Sequence, residues 1–517
     1  MTQTWVPWQV KQPGRHSFFS GILVSMARTI YAIGTPIVSR FPGMLMMGAV
    51  VSVCVAVWAF AGAFHYVDHV VLSAPPAAQV FAYASPSTWG QTPSEIAERM
   101  QAAGSSGVGV FKYVCWLFQF QIVRDLIGVA GLIGLFNLIP VYTIWWERKV
   151  AGRIQSRLGP MRVGGWHGWA QSPADGLKLL LKEDLIPDDA DKPLFRVAPY
   201  FAVIPSALAF LALPLGATYV FRELNVALLF ILGVLGIEVF AVILAGWASN
   251  NKWSVYGAMR EACQMVSYEI PMGMALLIPV VTVGSISLRD IGEAQSGGWF
   301  TWLAFRNPFL FLAFVTYFVA SLASCKRAPF DLPEAESELV AGFHTEYSGI
   351  RWSFFFFAEY AAMFVVSGLA VIMFLGGWHS PLPVSWGATW GDAWFVYGLR
   401  GLLFSGPVWF VAKCVFFLYV QIWLRWTLPR IRIDQVLYAC VQVMLPLTMV
   451  LLLGNALWVW ASMSGSGAWA AFATIVNIFV GVIGIAMTLM FPAIAAYGFL
   501  NRRGMVGNLV VDALPGS

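Results

Sequence analysis

Two charged segments of this chain each follow a long apolar run, and both contain residue types that can do chemistry. The first, residues 147–196, mixes basic and acidic side chains directly after the apolar run 129–146. The second, residues 326–353, contains more acidic than basic side chains. Arginine donates hydrogen bonds in a fixed planar geometry, and carboxylates can take up and release protons. We therefore expect both segments to bind a ligand or a partner and to carry proton chemistry.

The first segment supplies basic candidates at helical spacing. Arg153 and Arg157 are four positions apart, so they would share one face of any helix that contains both. Glu147, Arg148 and Asp175 are further candidates, because a charge at the end of a membrane helix is costly unless it is paired. A role as a positive anchor at the membrane surface remains open for the other charges of this segment.

Several acidic residues are candidates for proton transfer. Glu334 and Glu338 are four apart, so they would share a helix face, although a solvated acidic surface is the alternative. Glu238, Glu269 and Lys413 lie inside apolar runs, where each charge costs roughly 2.5–3.5 kcal/mol. Such a charge either forms a structural pair or belongs to a proton relay. The full set of proton-path candidates is Glu238, Glu269, Glu334, Glu336, Glu338, Glu346 and Lys413.

The composition requires an α-helical membrane protein. Of 517 residues, 59% are hydrophobic and 11% are charged, whereas a soluble domain has about 25% charged residues. Backbone groups in lipid must be satisfied internally, so the apolar runs are predicted to be helices. We predict ten membrane spans, at about 44–64, 124–146, 197–217, 226–247, 263–284, 307–325, 353–376, 407–428, 437–460 and 471–495.

The distribution of lysine and arginine predicts the orientation of these spans. With a cytoplasmic N-terminus, 23 of the 31 basic residues fall on the cytoplasmic side, as the positive-inside rule requires. Both termini are then cytoplasmic in a bacterial inner membrane. The net charge of +5 is small, so no nucleic-acid partner is expected. The six cysteines are scattered without metal-ligand spacing, so we expect no iron–sulfur cluster, flavin (FMN) or metal in this chain.

The two charged segments closely resemble the signature loops of one membrane-protein family. Residues 147–160 and 326–339 match the H subunit of respiratory complex I (subunit 1 in mitochondria), a membrane component of the proton-pumping NADH:quinone oxidoreductase. The resemblance extends in order from about Leu132 to Leu457. It also includes the stretches Leu244–Asn250, Gln264–Glu269, Gly342–Gly349, Ala358–Tyr360 and Trp423–Arg430.

This resemblance implies a fold and a site. The family has eight membrane helices, which correspond to the second to ninth predicted spans. It forms the membrane side of a quinone-binding cavity shared with peripheral-arm subunits, and it contacts other membrane subunits and lipid. Quinone would be a substrate in this shared site. The quinone-cavity candidates are Glu147, Arg148, Arg153, Arg157, Asp175, Arg327, Asp331, Arg425 and Arg430.

The resemblance also divides the chain. Residues 1–43 are expected to be a cytoplasmic segment, and 44–123 an additional span with a periplasmic loop. Residues 124–460 form the family core, with quinone-cavity loops 147–196 and 326–353, and 461–517 add a last span and a cytoplasmic tail.

Two positions depart from the family pattern. Ser324 stands where the family usually has a glutamate, and Glu261 stands where a small residue is usual. We expect Glu238 to replace the missing carboxylate in the proton path. Two other functions stay open: the homologous subunit of a membrane-bound hydrogenase or an F420H2 or ferredoxin dehydrogenase, and, less favoured, a separate transporter.

Overall fold

The computed structural model describes residues 121–164, 167–217, 220–221, 224–333, 336–381 and 406–463, with a few positions between 472 and 482. These residues form an all-α protein. The predicted segment 1–43, the span 44–64 and the loop that follows it up to residue 120 lie outside the described residues, and the span 471–495 lies almost wholly outside them.

Eight apolar helices make up the described bundle. Seven are long and apolar enough to cross a membrane, and the eighth, Pro308–Ser324, is apolar but has 17 residues. Short helices connect them. In chain order, the α-helices among the described residues are α1 Gln121–Ile154, α2 Gln171–Leu181, α3 Lys192–Ala212, α4 Ala227–Ala248, α5 Lys252–Val283, α6 Leu288–Glu293, α7 Leu303–Arg306, α8 Pro308–Ser324, α9 Glu336–Leu339, α10 Gly349–Phe374, α11 Gly406–Thr427, α12 Ile433–Leu437 and α13 Leu445–Met463. A π-helical segment, Tyr438–Met444, joins α12 to α13, so these elements form one span.

Local capping residues set where these helices begin and end. The Asn251 side chain accepts a hydrogen bond from the backbone of Trp253, and Asn307 does the same for Phe309, at 2.9 Å in both cases. Both asparagines thereby satisfy a free N–H group of the first helical turn. Helix α5 ends at Gly284, whose φ of +80° is the left-handed conformation that glycine adopts readily.

Two helices extend further than the hydrophobic runs indicate. Helix α1 continues past the predicted end at 146 to Ile154, and α5 begins at Lys252, before the predicted start at 263. Both extensions carry charged residues. A helix can continue beyond the apolar layer because its backbone groups stay hydrogen-bonded to one another. The chain then turns back after Ile154 and returns against Gly152, where an added Cβ would lie 2.8 Å from the Gly159 nitrogen.

This turn makes one prediction wrong. Arg153 lies in the last turn of α1, but Arg157 lies beyond its end, so the two side chains do not share a helix face. The Arg157 amide donates to the Gly152 carbonyl at 2.6 Å, which folds the chain back onto the helix.

The helices alternate in direction, so the connecting segments gather at two ends. The described residues of 155–191, 249–251, 325–348 and 428–432 lie at one end, which we call the charged end. The described residues of 213–226, 284–307 and 375–381 lie at the opposite end. Helix α10 is buried along most of its length and packs against α1, α3 and α11. The charged end of α10 therefore lies at the centre of the candidate site.

Candidate functional site

A cavity of about 630 Å³ opens at the charged end of the bundle, among α1, α2, α10 and α11. Its polar lining consists mainly of residues that the sequence had singled out. They are Glu147, Arg148, Arg157, Asp175 and Arg425. The apolar part of the wall includes Trp352, Phe356, Tyr360 and Trp426. An apolar pocket with a few convergent polar groups is the usual form of a site for a small organic ligand.

Glu147 is the buried carboxylate of the cavity wall, with 5% of its surface exposed. The Arg425 Nη1 atom lies 2.6 Å from its Oε1 atom. The Tyr360 hydroxyl donates a hydrogen bond to Oε2 of the same carboxylate. Two donors from α10 and α11 therefore fix the orientation of a carboxylate on α1.

Arg327 lies behind this wall and is 2% exposed. Its Nη1 atom is 3.5 Å from Glu147, and its Nε atom is 2.8 Å from Glu359. Its guanidinium also lies over the ring of Tyr360, at 4.3 Å from the ring centroid. Glu147, Arg327, Glu359, Tyr360 and Arg425, which we call the cavity cluster, thus combine two arginines with two carboxylates. The cluster has no formal net charge, which is the condition for burying ions at moderate cost.

A second ion pair lies nearer the open side of the cavity. Arg148 on α1 pairs with Asp175 on α2, and both are partly exposed. Arg157 is exposed and has space to reach a ligand. The rings of Trp352 and Phe356 pack with centroids 4.1 Å apart. The opening thus offers flat aromatic surfaces beside exposed cations, which suits a flat polar headgroup.

The remaining quinone-cavity candidates lie outside this lining. Arg153 is exposed on the last turn of α1. Arg430 and Asp331 form an ion pair of 3.0 Å with each other, between the two segments that follow α8 and α11. This ion pair joins the two segments at the charged end. A backbone hydrogen bond joins the same segments, because the Ile431 amide donates to the Pro329 carbonyl at 3.0 Å.

A second buried cluster occupies the space between α4, α5 and the segment after α8. The Lys326 ammonium lies 3.1 Å from Glu238 and 3.4 Å from Glu261. Ser206 on α3 also lies within hydrogen-bond distance of Glu238, at 3.3 Å. We call Glu238, Glu261 and Lys326 the buried triad.

Lys326 carries its charge despite its burial. Burial disfavours the ammonium form, but the surrounding carboxylates, Glu261 foremost, outweigh that effect and raise the pKa of Lys326 well above its usual range. Its backbone φ of +51° is left-handed, which is uncommon for lysine. The neighbouring Arg327 belongs to the cavity cluster, so one peptide unit connects the two clusters.

The other proton-path candidates are dispersed. Glu269 is exposed on α5, and its carboxylate is 3.2 Å from the position of an added Cβ at Gly236. Glu346 accepts from Asn251 at 2.5 Å, and Glu338 pairs with Arg260 at 2.5 Å. Glu334 and the side chain of Glu336 lie outside the described residues, so the shared helix face of Glu334 and Glu338 stays a prediction.

Lys413 lies at the opposite end of the bundle, away from these carboxylates. Its ammonium contacts the carbonyls of Leu375, Gly377 and His379, at 2.7, 3.0 and 2.7 Å. It also lies over the Trp302 ring, 4.2 Å from the centroid. The ammonium thus supplies a hydrogen-bond donor to carbonyl groups at and just after the C-terminal end of α10. These contacts do not connect Lys413 to the buried triad.

Sequence reasoning had not assigned Lys326, Glu261, Glu359 or Tyr360 to the site. A signal existed for the three charged residues. Lys326 follows an apolar helix, and Glu261 and Glu359 lie within or next to apolar runs, where an unpaired charge is costly. The partners could not be found, because Glu238 and Lys326 are 88 positions apart in sequence.

His344 lies beside the triad at the charged end. Burial, with a smaller contribution from the Lys326 charge, lowers the pKa of its imidazole to about 4. Its neighbours include the rings of Phe343, Trp352 and Phe356. The imidazole is therefore neutral at neutral pH.

The fold and the site define a class of protein: a polytopic helical membrane protein with an ion-lined cavity at one end of its bundle. Among the described residues, no group of three or more His, Cys, Asp or Glu side chains could hold a metal ion. The model of the NADH dehydrogenase family matches residues 127–456.

Several relatives share this region. The H subunit of the NADH-quinone oxidoreductase of Chlorobaculum parvum is 47% identical over 347 residues, which is 66% of this chain and 93% of the relative. The corresponding protein of Anaeromyxobacter dehalogenans is 42% identical over 374 residues, covering 70% and 88%. That of Geobacillus thermodenitrificans is 46% identical over 329 residues, covering 63% and 92%. The chain therefore belongs to the NADH dehydrogenase family, as a homologue of the membrane-embedded H subunit of NADH-quinone oxidoreductase.

Proposed function

We propose that this chain is the membrane subunit of a proton-pumping NADH:quinone oxidoreductase that forms the membrane side of the quinone cavity and the start of a proton path. The observation that carries the proposal is the cavity itself. It joins an aromatic opening to a buried carboxylate, Glu147, that is held by Arg425 and Tyr360. The names of the relatives favour this function over a hydrogenase-type subunit or a transporter.

The chemistry of quinone reduction explains why such residues are needed. Two electrons and two protons convert a quinone to a quinol, and negative charge develops on its oxygens before the protons arrive. Arg157 and Arg148 are placed to stabilise that charge at the opening, because guanidinium groups donate to oxygen in a fixed geometry. The electrons come from outside this chain, which in this proposal holds no flavin, iron–sulfur cluster or metal and is not catalytic alone.

We further propose an orientation of the chain in the membrane. The charged end faces the cytoplasm of a bacterial cell, both termini lie on that side of the inner membrane, and the subunits that carry the quinone headgroup site dock there. Other membrane subunits and lipid surround the bundle. The positive-inside distribution of lysine and arginine supports this orientation, since most basic residues of the described loops lie at the charged end.

A substitution in the assembled complex tests the cavity. Arg157→Ala removes a cation that lines it, while Arg153→Ala removes a nearby cation that does not line it. We expect Arg157→Ala to slow NADH-dependent quinone reduction much more than Arg153→Ala. Reduction of an artificial acceptor by the peripheral arm should stay normal in both variants. Equal loss of both activities, or equal effects of the two substitutions on quinone reduction, would contradict the proposal.

A further inference from the structure

The buried triad carries an odd number of charges. Its members are two carboxylates and one ammonium, and the side chains of Glu238, Lys326 and Glu261 are 11%, 8% and 1% exposed. With all three ionised, the triad has a formal charge of −1. An uncompensated charge in a buried site is strongly unfavourable, and the usual relief is to change a protonation state.

Among the residues that the structure describes, no neighbouring cation removes this imbalance. In the described part of the chain, Lys326 is the only basic residue that forms an ion pair with Glu238 or Glu261. The next basic residue, Arg327, pairs with Glu147 and Glu359 of the cavity cluster. The other titratable groups near Lys326 are neutral at neutral pH or are acidic; they are Tyr268, Cys325, His344 and Glu359.

The two carboxylates of the triad differ in their contacts. Glu238 has two partners, the Lys326 ammonium and the Ser206 hydroxyl. Glu261 has the longer contact, 3.4 Å to the same ammonium, and its oxygens have no further hydrogen-bond partner among the described residues. An ionised carboxylate is stabilised by hydrogen bonds to its oxygens. Glu261 is therefore the carboxylate that is more favourable in its protonated form.

We propose that the buried triad is a proton-loading site in which Glu261 carries one exchangeable proton and Lys326 keeps Glu238 ionised. Loading forms the O–H bond of Glu261 and brings the triad to zero charge. Release breaks that bond, transfers H⁺ to water, and returns the triad to −1 without any redox change. The use of this proton in pumping rests on the function proposed above, whereas the presence of the proton does not.

The connection to the cavity is a single peptide unit. Lys326 and Arg327 are consecutive, and their side chains enter different clusters. Lys326 holds a left-handed backbone conformation that residues other than glycine adopt rarely. A shift of Arg327 when the charge in the cavity changes would therefore move the Lys326 ammonium relative to Glu261, and with it the affinity of Glu261 for its proton. Lys326 is a positioning residue in this scheme.

Amide substitutions in the intact complex test the proton directly. Glu261→Gln reproduces the shape and neutrality of the protonated form, so the complex should assemble and melt at the wild-type temperature. Glu238→Gln removes the ionised partner of Lys326 and should lower the melting temperature. Glu293→Gln, at an exposed ion pair at the opposite end, is the matched control. A melting temperature that falls as far for Glu261→Gln as for Glu238→Gln would overturn the assignment of the proton to Glu261.

Infrared difference spectra, recorded on reducing the complex with NADH, give a second readout. We expect a deuterium-sensitive C=O band of a protonated carboxylic acid that is absent in Glu261→Gln and present in Glu293→Gln. The ratio of protons pumped to electrons transferred should fall several-fold in Glu261→Gln. A band that persists in this variant would refute the loading site. If instead the band behaves as expected while Arg157→Ala reduces quinone normally, the triad holds its proton and the proposed function fails.

Discussion

Arg327→Met is the substitution that most sharply tests the cavity cluster. It removes a guanidinium that is 2% exposed and lies 2.8 Å from Glu359 and 3.5 Å from Glu147. Breaking a buried ion pair by removing one partner costs about 3–5 kcal/mol, because a charge stays behind in the interior. Glu147 keeps its contacts with Arg425 and Tyr360, so most of this cost arises at Glu359.

A second substitution should recover most of that loss. Arg327→Met with Glu359→Gln removes both charges of the 2.8 Å pair, so no uncompensated charge remains at that position. We expect the double variant to lose about 1–2 kcal/mol of unfolding free energy relative to wild type, since a neutral replacement of a buried pair is often nearly free of cost. The free-energy loss of the double variant, minus the summed losses of the two single variants, measures the coupling between Arg327 and Glu359.

The assay is equilibrium unfolding of the purified chain in mixed micelles, titrated with a denaturing detergent. The matched control is Arg289→Met, which breaks an exposed pair with Glu293 at 3.0 Å and should cost less than about 1 kcal/mol. If Arg327→Met costs no more than this control, or if the double variant is as unstable as the single one, the described cluster does not hold the site together.

Three further substitutions test other parts of the account. Tyr360→Phe removes the hydroxyl donor to Glu147, and since a hydrogen bond to a charged group contributes about 1.5–3 kcal/mol, we expect the KM for quinone to rise while assembly persists; an unchanged KM would exclude a positioning role. His344 has a folded pKa of about 4, below its unfolded value near 6.5. The unfolded chain therefore binds more protons between these values, and stability is lost as pH falls through them, by at most about 3–4 kcal/mol; His344→Gln should flatten that pH dependence of the melting temperature. Lys413→Met leaves three carbonyls without their donor and should lower the melting temperature without changing the ratio of protons to electrons; a selective loss of pumping would instead place Lys413 in the proton path.

The sequence was sufficient to predict the helices and to predict which ends of the helices carry the charged segments. Apolar runs and capping residues such as Asn251 and Asn307 are local, and the described bundle has the eight predicted spans from α1 to α13. The resemblance of residues 147–160 likewise placed Glu147 and Arg157 in one region, and the cavity brings them together. Local spacing failed at Arg153 and Arg157, because the turn after Ile154 depends on how the following loop packs against Gly152 and not on periodicity.

The charge partners could not be read from the sequence, because they are tertiary. Glu238 lies inside an apolar run and is 8% exposed, but its cation comes from the segment after α8. The departures at Ser324 and Glu261 can also be explained only from the three-dimensional structure. This chain has a serine at position 324 and a carboxylate at position 261, and the Lys326 ammonium contacts Glu261. Glu238 and Glu261 therefore both contact Lys326, which lies two positions beyond Ser324.

The most direct test of the account is a cryo-electron microscopy map of the native complex with bound quinone or an inhibitor that competes with its headgroup. We predict elongated density in the cavity among α1, α2, α10 and α11, between Trp352 and Phe356 on one side and Arg157 on the other. The density should approach the Glu147 wall while the Arg327–Glu359 pair stays intact behind it. An empty cavity, with the ligand bound elsewhere on this chain or with the cavity filled by a partner subunit, would contradict the central claim.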